Sequence, residues 1–381
     1  MTVYLHGTGI IPFGRYPDRT LEDLAVPAAA DALAEAAATP DGIDATYCGN
    51  VYGGMLPAHR IAARLGLTGR PAYNVEAACS SSAVALHLAV SAIRAGQLET
   101  ALVIGVEQLS VFGRGTLRLN ADDPEIAEGL TMPAAYAMRA QRYLAQTGAV
   151  VEDLAAVSVK NHANGALNPD AQFRRPTPLE EVLGSRPVAD PLTLLQCCGS
   201  GDGAAAVVVS ARPPDPAIWP RTVRVAASVV SSGSTGPHDL SREPLTERVA
   251  TQAYTEAGLG PSDLGVVELH DAFTIAELLY YEALGLCGYG EAPGLLRDGV
   301  TERSGRHPVN AGGGLLARGH PLGATGVAQV VEVTRHLAGR SAIPGRGTLA
   351  HRPDAGLTHC TGGGISGYDH AVCTVHILTA T

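Results

Sequence analysis

The chain has 381 residues, 46% of them apolar and only 4% aromatic, which is too long for one simple core and rich in the small residues that let layers pack closely. A formal net charge of −10 without any clustered basic run excludes the positive footprint that nucleic-acid binding needs. Seven cysteines with no C-x-x-C pair exclude a disulfide scaffold or a zinc ribbon, and no apolar run approaches the ~20 residues of a membrane span.

In chain order, strand and helix signals alternate. Thr2–Ile10 reads as a buried strand and Leu21–Ala37 as an Ala-rich helix with Leu21, Leu24, Ala25, Ala28 and Leu33 at helical spacing. Ala45–Tyr52 is a strand, Ala83–Ala95 an apolar helix, and Thr100–Val106 and Gly203–Ser210 buried strands. Then Thr222–Val230 reads as a strand, Leu245–Ala257 as a helix and Leu264–Leu269 as a strand. Gly323–Leu337 is a helix after a Gly-rich loop, and Ala371–Leu378 a last strand. The stretch DALAEAAATPDGIDATYCGNVYG parallels QAYTEAGLGPSDLGVVELHDAFT, each with a Gly/Pro/Asp turn between helix and strand. The pattern predicts a duplicated α/β unit: one half from residues 1–110 plus 203–216, an inserted loop or cap domain at 111–202, and a second half at 217–381. The insertion is polar and less periodic, and the prolines of Arg212–Pro216 mark the junction. The N-terminus MTVYLHGTGIIPFG has no basic segment leading into an apolar one, and LTAT is not a peroxisomal address, so a reducing cytoplasm is expected. Lys160 is the only lysine; Schiff-base chemistry would rest on it alone.

Four segments carry candidate chemistry. Glu76–Ser82 (EAACSSS) sets Cys79 at a helix start, where the dipole favours thiolate, against the common alternative of an inert core cysteine. Gly312–Gly314 and GHPLGATG hold His320 on a glycine-rich turn, an odd place for a packing histidine. His270 and Asp271 follow the apolar strand Val266–Leu269; a His–Asp cap on the following helix is the structural alternative. In His359–Gly364 (HCTGGG) the glycines expose N–H groups suited to an oxyanion, or form an ordinary hairpin.

Together these segments resemble the thiolase superfamily: its C-x-S, G-H-P and C-x-G loops, with HDAF where many members have Asn-Glu-Ala-Phe. Sterol-carrier-type members carry His-Asp there, and Gly129–Pro133, Ser158–Pro169 and Cys197–Val207 also resemble that subgroup, often described as lipid-transfer or acetyl-CoA acetyltransferase proteins. The resemblance implies a five-layer αβαβα fold of two similar halves. It also implies a non-decarboxylating Claisen condensation or thiolysis of a 3-oxoacyl-CoA through acyl-Cys79. His320 would be the base for Cys79, Cys360 the acid–base group at the α-carbon, and His270 with His320 would hold one oxyanion. The N–H groups of Cys79 and Gly362 would hold the other, and Met132 and Cys198 would bind substrate. No permanent cofactor or metal is implied; a coenzyme A thioester is substrate. A homodimer or homotetramer is expected, from the resemblance and from the apolar strand Thr100–Val106, which needs a neighbour; some relatives also need a small zinc-ribbon/OB-fold partner. Neither nucleic acid nor membrane is expected as a partner.

The pairing of Cys79 with Cys360 is that of biosynthetic and degradative thiolases, whereas Ala272 stands where sterol-carrier-type members usually place a second cysteine. Two further readings share the fold. Ketosynthases use one Cys and two His for decarboxylating condensation, without need of Cys360. Retro-aldolases acting on steroid side-chain CoA esters work through tyrosines, without need of Cys79. A lipid carrier or scaffold with no catalytic activity would leave the four segments without purpose.

Overall fold

The computed structural model describes residues 1–113, 124–234, 239–339, 349, 351–364 and 370–381; the stretch 114–123 of the expected insertion lies outside them. The strands are β1 (Tyr4–Ile10), β2 (Ala45–Gly49), β3 (Ala72–Val75), β4 (Thr100–Gln108), β5 (Pro187–Ala189), β6 (Leu192–Thr193), β7 (Asp202–Ser210), β8 (Val223–Ser232), β9 (Val266–Glu268), β10 (Ala355–Gly362) and β11 (Val372–Ala380). The helices are α1 (Leu21–Glu35), α2 (Pro57–Arg64), α3 (Ser81–Arg94), α4 (Pro124–Ala127), α5 (Met132–Gln146), α6 (Val151–Ala166), α7 (Leu179–Leu183), α8 (Pro244–Ala257), α9 (Thr274–Ala283), α10 (Ala292–Arg297), α11 (Gly314–Arg318) and α12 (Thr325–Ala338).

Nine strands run in the order β3-β2-β4-β7-β1-β8-β11-β10-β9. The first five belong to one half and the last four to the other. The halves join edge to edge where Tyr4 of β1 faces Arg224 of β8 and the Val225 N–H donates to the Val3 carbonyl at 2.9 Å. In the second half Val309 makes a single parallel bridge to Val267 of β9, the place β3 holds beside β2. The duplication is therefore a two-fold repeat of one sheet.

Strand alternation builds the layers. On β4, Leu102 and Ile104 pack outward with Leu24 of α1 and Ile61 of α2, while Ala101 and Val103 face inward. On β7, Ala204, Ala206 and Val208 face out and Ala205, Val207 and Val209 face in. Apolar residues on both faces explain why these strands read as continuous apolar runs. The inward side chains meet Leu86 and Val90 of α3 and Val327 and Val331 of α12, with Val223 and Val225 of β8 beyond. On the far side Val249 and Ala253 of α8 cover Val229, Val375 and Ile377. The result is five layers: α1/α2, half-sheet, α3/α12, half-sheet, α8. The central pair of helices is the part that positions the site.

Three expectations change. The Thr100–Val106 segment has its neighbours within the chain, β2 on one side and β7 on the other, so it gives no support to an oligomer. Residues 124–202 hold two long helices, α5 and α6, rather than a loosely patterned loop. Helix α6 hid because it buries Asp153, Ser158, Lys160, Asn161, His162 and Asn164 along with its apolar residues, which erases the stripe that marks a helix. The HCTGGG segment is neither loop nor hairpin tip at its start: β10 carries His359–Gly362 as a strand paired with β11. Among the described residues no helix is long and apolar enough to cross a membrane.

Candidate active site

The first element of the site is the turn between β3 and α3. Ala78, just before Cys79, has φ 48°, a left-handed conformation unusual for a residue with a Cβ. The Glu76 carboxylate accepts from the Ala78 N–H at 2.7 Å, and Ser81 Oγ accepts from the Ala77 N–H at 3.0 Å. The remaining serines tie the turn to its surroundings. Ser80 Oγ donates to the Cys360 carbonyl at 2.8 Å, and Ser82 Oγ accepts from the Val327 N–H of α12 at 3.0 Å. EAACSSS is thus a self-bonded turn clamped between β10 and α12.

The helix-start argument predicted a thiolate at Cys79. Burial, together with the negative charges of Glu107 and Glu76, instead pushes the thiol up to about 12, although its own N–H and that of Gly363 favour the anion. The resting group is a thiol, which would act as a nucleophile only with a base to take its proton.

His320 supplies a neutral imidazole. Burial and the nearby Arg318 guanidinium hold its pKa down at about 3. Its Nδ1 lies 2.8 Å from Thr325 Oγ1, and that hydroxyl donates its single proton to the Pro321 carbonyl at 3.1 Å. With the hydroxyl proton assigned to Pro321, Nδ1 is the donor to Thr325 and the Nε2 lone pair is left free. The His270 ring stands edge-on to that of His320, centroids 5.1 Å apart at 85°. Burial drives its pKa well below the ordinary value, with His320 adding to the effect. His270 Nδ1 is 3.2 Å from Cys360 Sγ, and the Cys360 thiol donates to the Cys79 carbonyl at 3.2 Å. Burial pushes the Cys360 thiol far up as well. The Cys79 sulfur and one ring nitrogen each of His270 and His320 all lie within 4.8 Å of one another.

Adjacent residues diverge. Asp271 does not cap the helix that follows it. Its carboxylate accepts from the Leu315 and Leu316 N–H groups at the start of α11, at 2.7 and 3.3 Å, and from Asn161 Nδ2 at 2.8 Å. Behind it Lys160 Nζ lies 2.7 Å from Glu277 and donates to the Val309 carbonyl at 2.8 Å. The lone lysine is a buried ion-pair partner. Asn310 joins the two, its Nδ2 donating to Glu277 at 2.7 Å and its Oδ1 accepting from the Leu269 N–H at 2.9 Å, next to His270.

Gly362 closes against the Cys79 turn; a Cβ there would sit 2.2 Å from the Ala77 carbonyl oxygen. Gly363 is the glycine whose N–H reaches the Cys79 sulfur. The Cys198 N–H donates to the Ala272 carbonyl at 2.9 Å, and its thiol lies within the electrostatic reach of Cys79. Met132 opens α5 and packs, like Cys198, on the apolar cluster that holds Tyr136 and Phe273. Tyr136 stacks on Phe273 at 4.4 Å.

Thr325, Tyr136 and Glu107 were missed from sequence, and Gly363 was read only as one of the glycines of HCTGGG. Glu107 is fully buried. Its carboxylate accepts from the N–H groups of Val51 (3.0 Å), Tyr52 (3.1 Å) and Gly323 (3.2 Å), and burial raises its pKa to about 7. It ties the loop after β2 to the turn that carries His320. Its signal was visible: a carboxylate inside an apolar strand is rarely there without partners. Thr325 was visible too, as the hydroxyl five residues after His320.

Two family models cover most of the chain: the thiolase N-terminal domain over residues 3–212 and the thiolase C-terminal domain-like model over 228–375. The benzoylsuccinyl-CoA thiolase subunit BbsB of Thauera aromatica is 43% identical, with 98% of each chain covered. An acetyl-CoA acetyltransferase of Methanothermobacter thermautotrophicus is 37% identical over 94% of this chain and 95% of that one. Among solved structures, the Ltp2-ChsH2(DUF35) aldolase superposes with a TM-score of 0.83 at 26% identity, covering 100% of this chain and 98% of that one. Human mitochondrial 3-ketoacyl-CoA thiolase superposes at 0.75 and 20% identity, covering 100% and 99%, which speaks to the fold. A five-layer duplicated fold, the Cys–His–His–Cys cluster at its centre and two matching family models over nearly the whole length together make this chain a member of the thiolase family.

Proposed function

We propose that this thiolase-family acyltransferase works through acyl-Cys79 on coenzyme A thioesters, by the division of labour its side chains suggest. The reading rests on the convergence of the Cys79 sulfur with ring nitrogens of His270 and His320 within 4.8 Å. In the first half-reaction the Cys79 sulfur attacks the thioester carbonyl. Its proton passes to His320 Nε2, which the Thr325 contact leaves unprotonated, and from there to the departing coenzyme A thiol. The carbonyl oxyanion is met by the N–H groups of Cys79 and of Gly363 or Gly362. In the second, Cys360 passes its thiol proton to His270, whose Nδ1 is 3.2 Å away, and the thiolate so formed takes the α-proton of another acyl-CoA. His270 and His320 hold the enolate oxygen, and the new carbon–carbon bond forms as Cys79 leaves and takes the proton from His270. Thiolysis runs the same steps backwards. Met132, Cys198, Tyr136 and Phe273 line the side from which the acyl group would approach.

Cys360 separates this reading from its neighbours. A positioned acid–base group contributes ~10²–10⁴-fold. Cys360→Ser should therefore leave acylation of Cys79 intact by whole-protein mass while lowering carbon–carbon bond formation and α-deuterium exchange by that factor. Normal condensation of a malonyl-type substrate by the variant would favour decarboxylating chemistry. Unimpaired cleavage of a β-hydroxyacyl-CoA, together with activity in Cys79→Ala, would favour the aldolase reading suggested by the likeness to the Ltp2-ChsH2(DUF35) structure. BbsB is named as a subunit and Ltp2-ChsH2 as a pair. On that ground we also propose a small partner protein here, and a homodimeric or homotetrameric core in the cytoplasm. Activity with and without a co-expressed partner, and mass by light scattering, test both.

A further inference from the structure

We propose that Cys79, His270 and His320 form a three-donor site for a single Zn²⁺ ion, and that zinc there excludes the acyl group. The donors are one sulfur and two imidazole nitrogens, all within 4.8 Å of one another. Tetrahedral zinc with bonds of about 2.0–2.3 Å places such donors ~3.3–3.6 Å apart. The donors would draw together by about an ångström on binding. A soft thiolate with two imidazoles selects zinc over the hard, oxygen-seeking cations. Three protein ligands leave a fourth position for water or a free thiol, the arrangement of an open zinc site.

The outer contacts are those a ligating histidine needs. A metal-bound imidazole donates its other N–H to a fixed acceptor. His320 already does this through Nδ1 to Thr325 Oγ1 at 2.8 Å, with Thr325 oriented by the Pro321 carbonyl. The ligand lone pair therefore faces the cluster before any metal arrives. The turn that carries Cys79 is also fixed in advance, by Glu76, Ser80, Ser81 and Ser82. Glu76 and Glu107 bring negative charge to bear on Cys79. The one guanidinium bearing on His320, Arg318, is itself paired with Glu268 at 3.2 Å.

Binding replaces the thiol proton: Cys79–SH and Zn²⁺ give Cys79–S–Zn⁺ and a proton released to solvent, with no change of oxidation state. The same sulfur cannot then accept an acyl group. This inhibitory consequence rests on Cys79 being the acyl acceptor; the binding itself does not.

The full-length chain, freed of metal with a chelator, is titrated with Co²⁺ and with Zn²⁺. The expected result is one equivalent of Co²⁺ with a sulfur-to-cobalt charge-transfer band and tetrahedral d–d bands, displaced by Zn²⁺. Cys79→Ala should abolish the charge-transfer band and weaken zinc at least about tenfold, and His320→Ala should weaken it to a similar extent. Cys287→Ser, outside the cluster, should bind as the wild type does. Alkylating Cys79 of the wild-type chain with iodoacetamide should also block binding, so the result does not hinge on the folding of a variant. A charge-transfer band that survives in Cys79→Ala, loss of binding on Cys287→Ser, or no Zn²⁺ binding by the wild type would each overturn the proposal. Zinc bound as expected in a protein that never forms acyl-Cys79 would instead sink the function proposed above and leave this site standing.

Discussion

His320 and Thr325 show how one hydroxyl can set the chemistry of a base. Thr325 Oγ1 can donate only once, and it does so to Pro321, so it must accept from His320. Thr325→Val would strand a buried N–H, at a cost of about 1–3 kcal/mol, and free the ring to take the wrong tautomer. We expect the acylation rate of Cys79 to fall about tenfold or more, a loss of ~1.4 kcal/mol in the barrier, with Thr325→Ser close to wild type. Rapid-mixing mass spectrometry of the acyl-enzyme measures it; an unchanged rate in the valine variant would remove Thr325 from the mechanism. The acid–base state follows from burial. With the Cys79 thiol at about 12 and His320 at about 3, the reacting pair stays neutral between those limits. The His270–Cys360 contact at 3.2 Å could not be read from sequence, because ninety residues separate the two and only the strand register brings them together. The residue types were legible; their partners were not.

At the scale of elements, α6 and α9 act as a buried polar clamp behind the strand that ends at His270. Lys160 of α6 faces Glu277 of α9, whose carboxylate also accepts from Asn161 and Asn310 at 2.7 Å each. A buried pair contributes little net stability, yet removing one partner leaves a charge uncompensated, at ~3–5 kcal/mol. Lys160→Met should therefore lower the unfolding midpoint sharply, and Lys160→Met with Glu277→Gln should recover most of it, measured by denaturant titration. Equal loss in the single and double variants would mean that the pair is not the cause. These helices were also the hardest to see in the sequence. Thr274–Tyr281 of α9 is buried all round, and α6 buries amides and a lysine, so neither shows the one-sided stripe on which helix reading depends. Helices α1 and α8 do show it, and they were legible to within two or three residues. The Gly-rich end of β10 carried no strand signal, since glycine is depleted from strands.

Over the whole molecule, burial has a cost in acid. His270 is held well below its ordinary pKa, and His320, His359 and His376 are held at about 3. His6, His87 and His162 are lowered as well. Burial is the main cause in every case. The unfolded chain binds protons at these positions near 6.5 and the folded chain does not, so stability falls as pH drops below 6.5, by ~1.4 kcal/mol per pH unit for each uncompensated proton. Glu107, Glu268, Asp271 and Glu282 act the other way, since their raised values let the folded chain take up protons first. Seven histidines outnumber four carboxylates, so the thermal midpoint should drop between pH 7 and pH 5. A midpoint that is constant or rises over that range would mean that the imidazoles are solvated.

The two-fold repeat is not repeated at its centre. By strand register Gly49 faces Gly105 in the first half. At the equivalent place in the second, two residues past the last β9–β10 pair of Glu268 with Thr358, stand His270 and Cys360, with Nδ1 3.2 Å from Sγ. A Cβ on Gly49 would lie 2.3 Å from the Ser82 nitrogen, and one on Gly105 would lie 2.6 Å from the Gly323 carbonyl oxygen. The first half has emptied this pair so that the turns leading into α3 and α12 can enter. The second half has filled it with an imidazole and a thiol. On the proposed mechanism neither half would hold a working set, because Cys79 comes from one and His270, His320 and Cys360 from the other. On that proposal the chain is in effect a covalently tethered heterodimer whose active centre is its own subunit interface, and a substitution that loosens the seam between the halves should lower catalysis before it unfolds the chain.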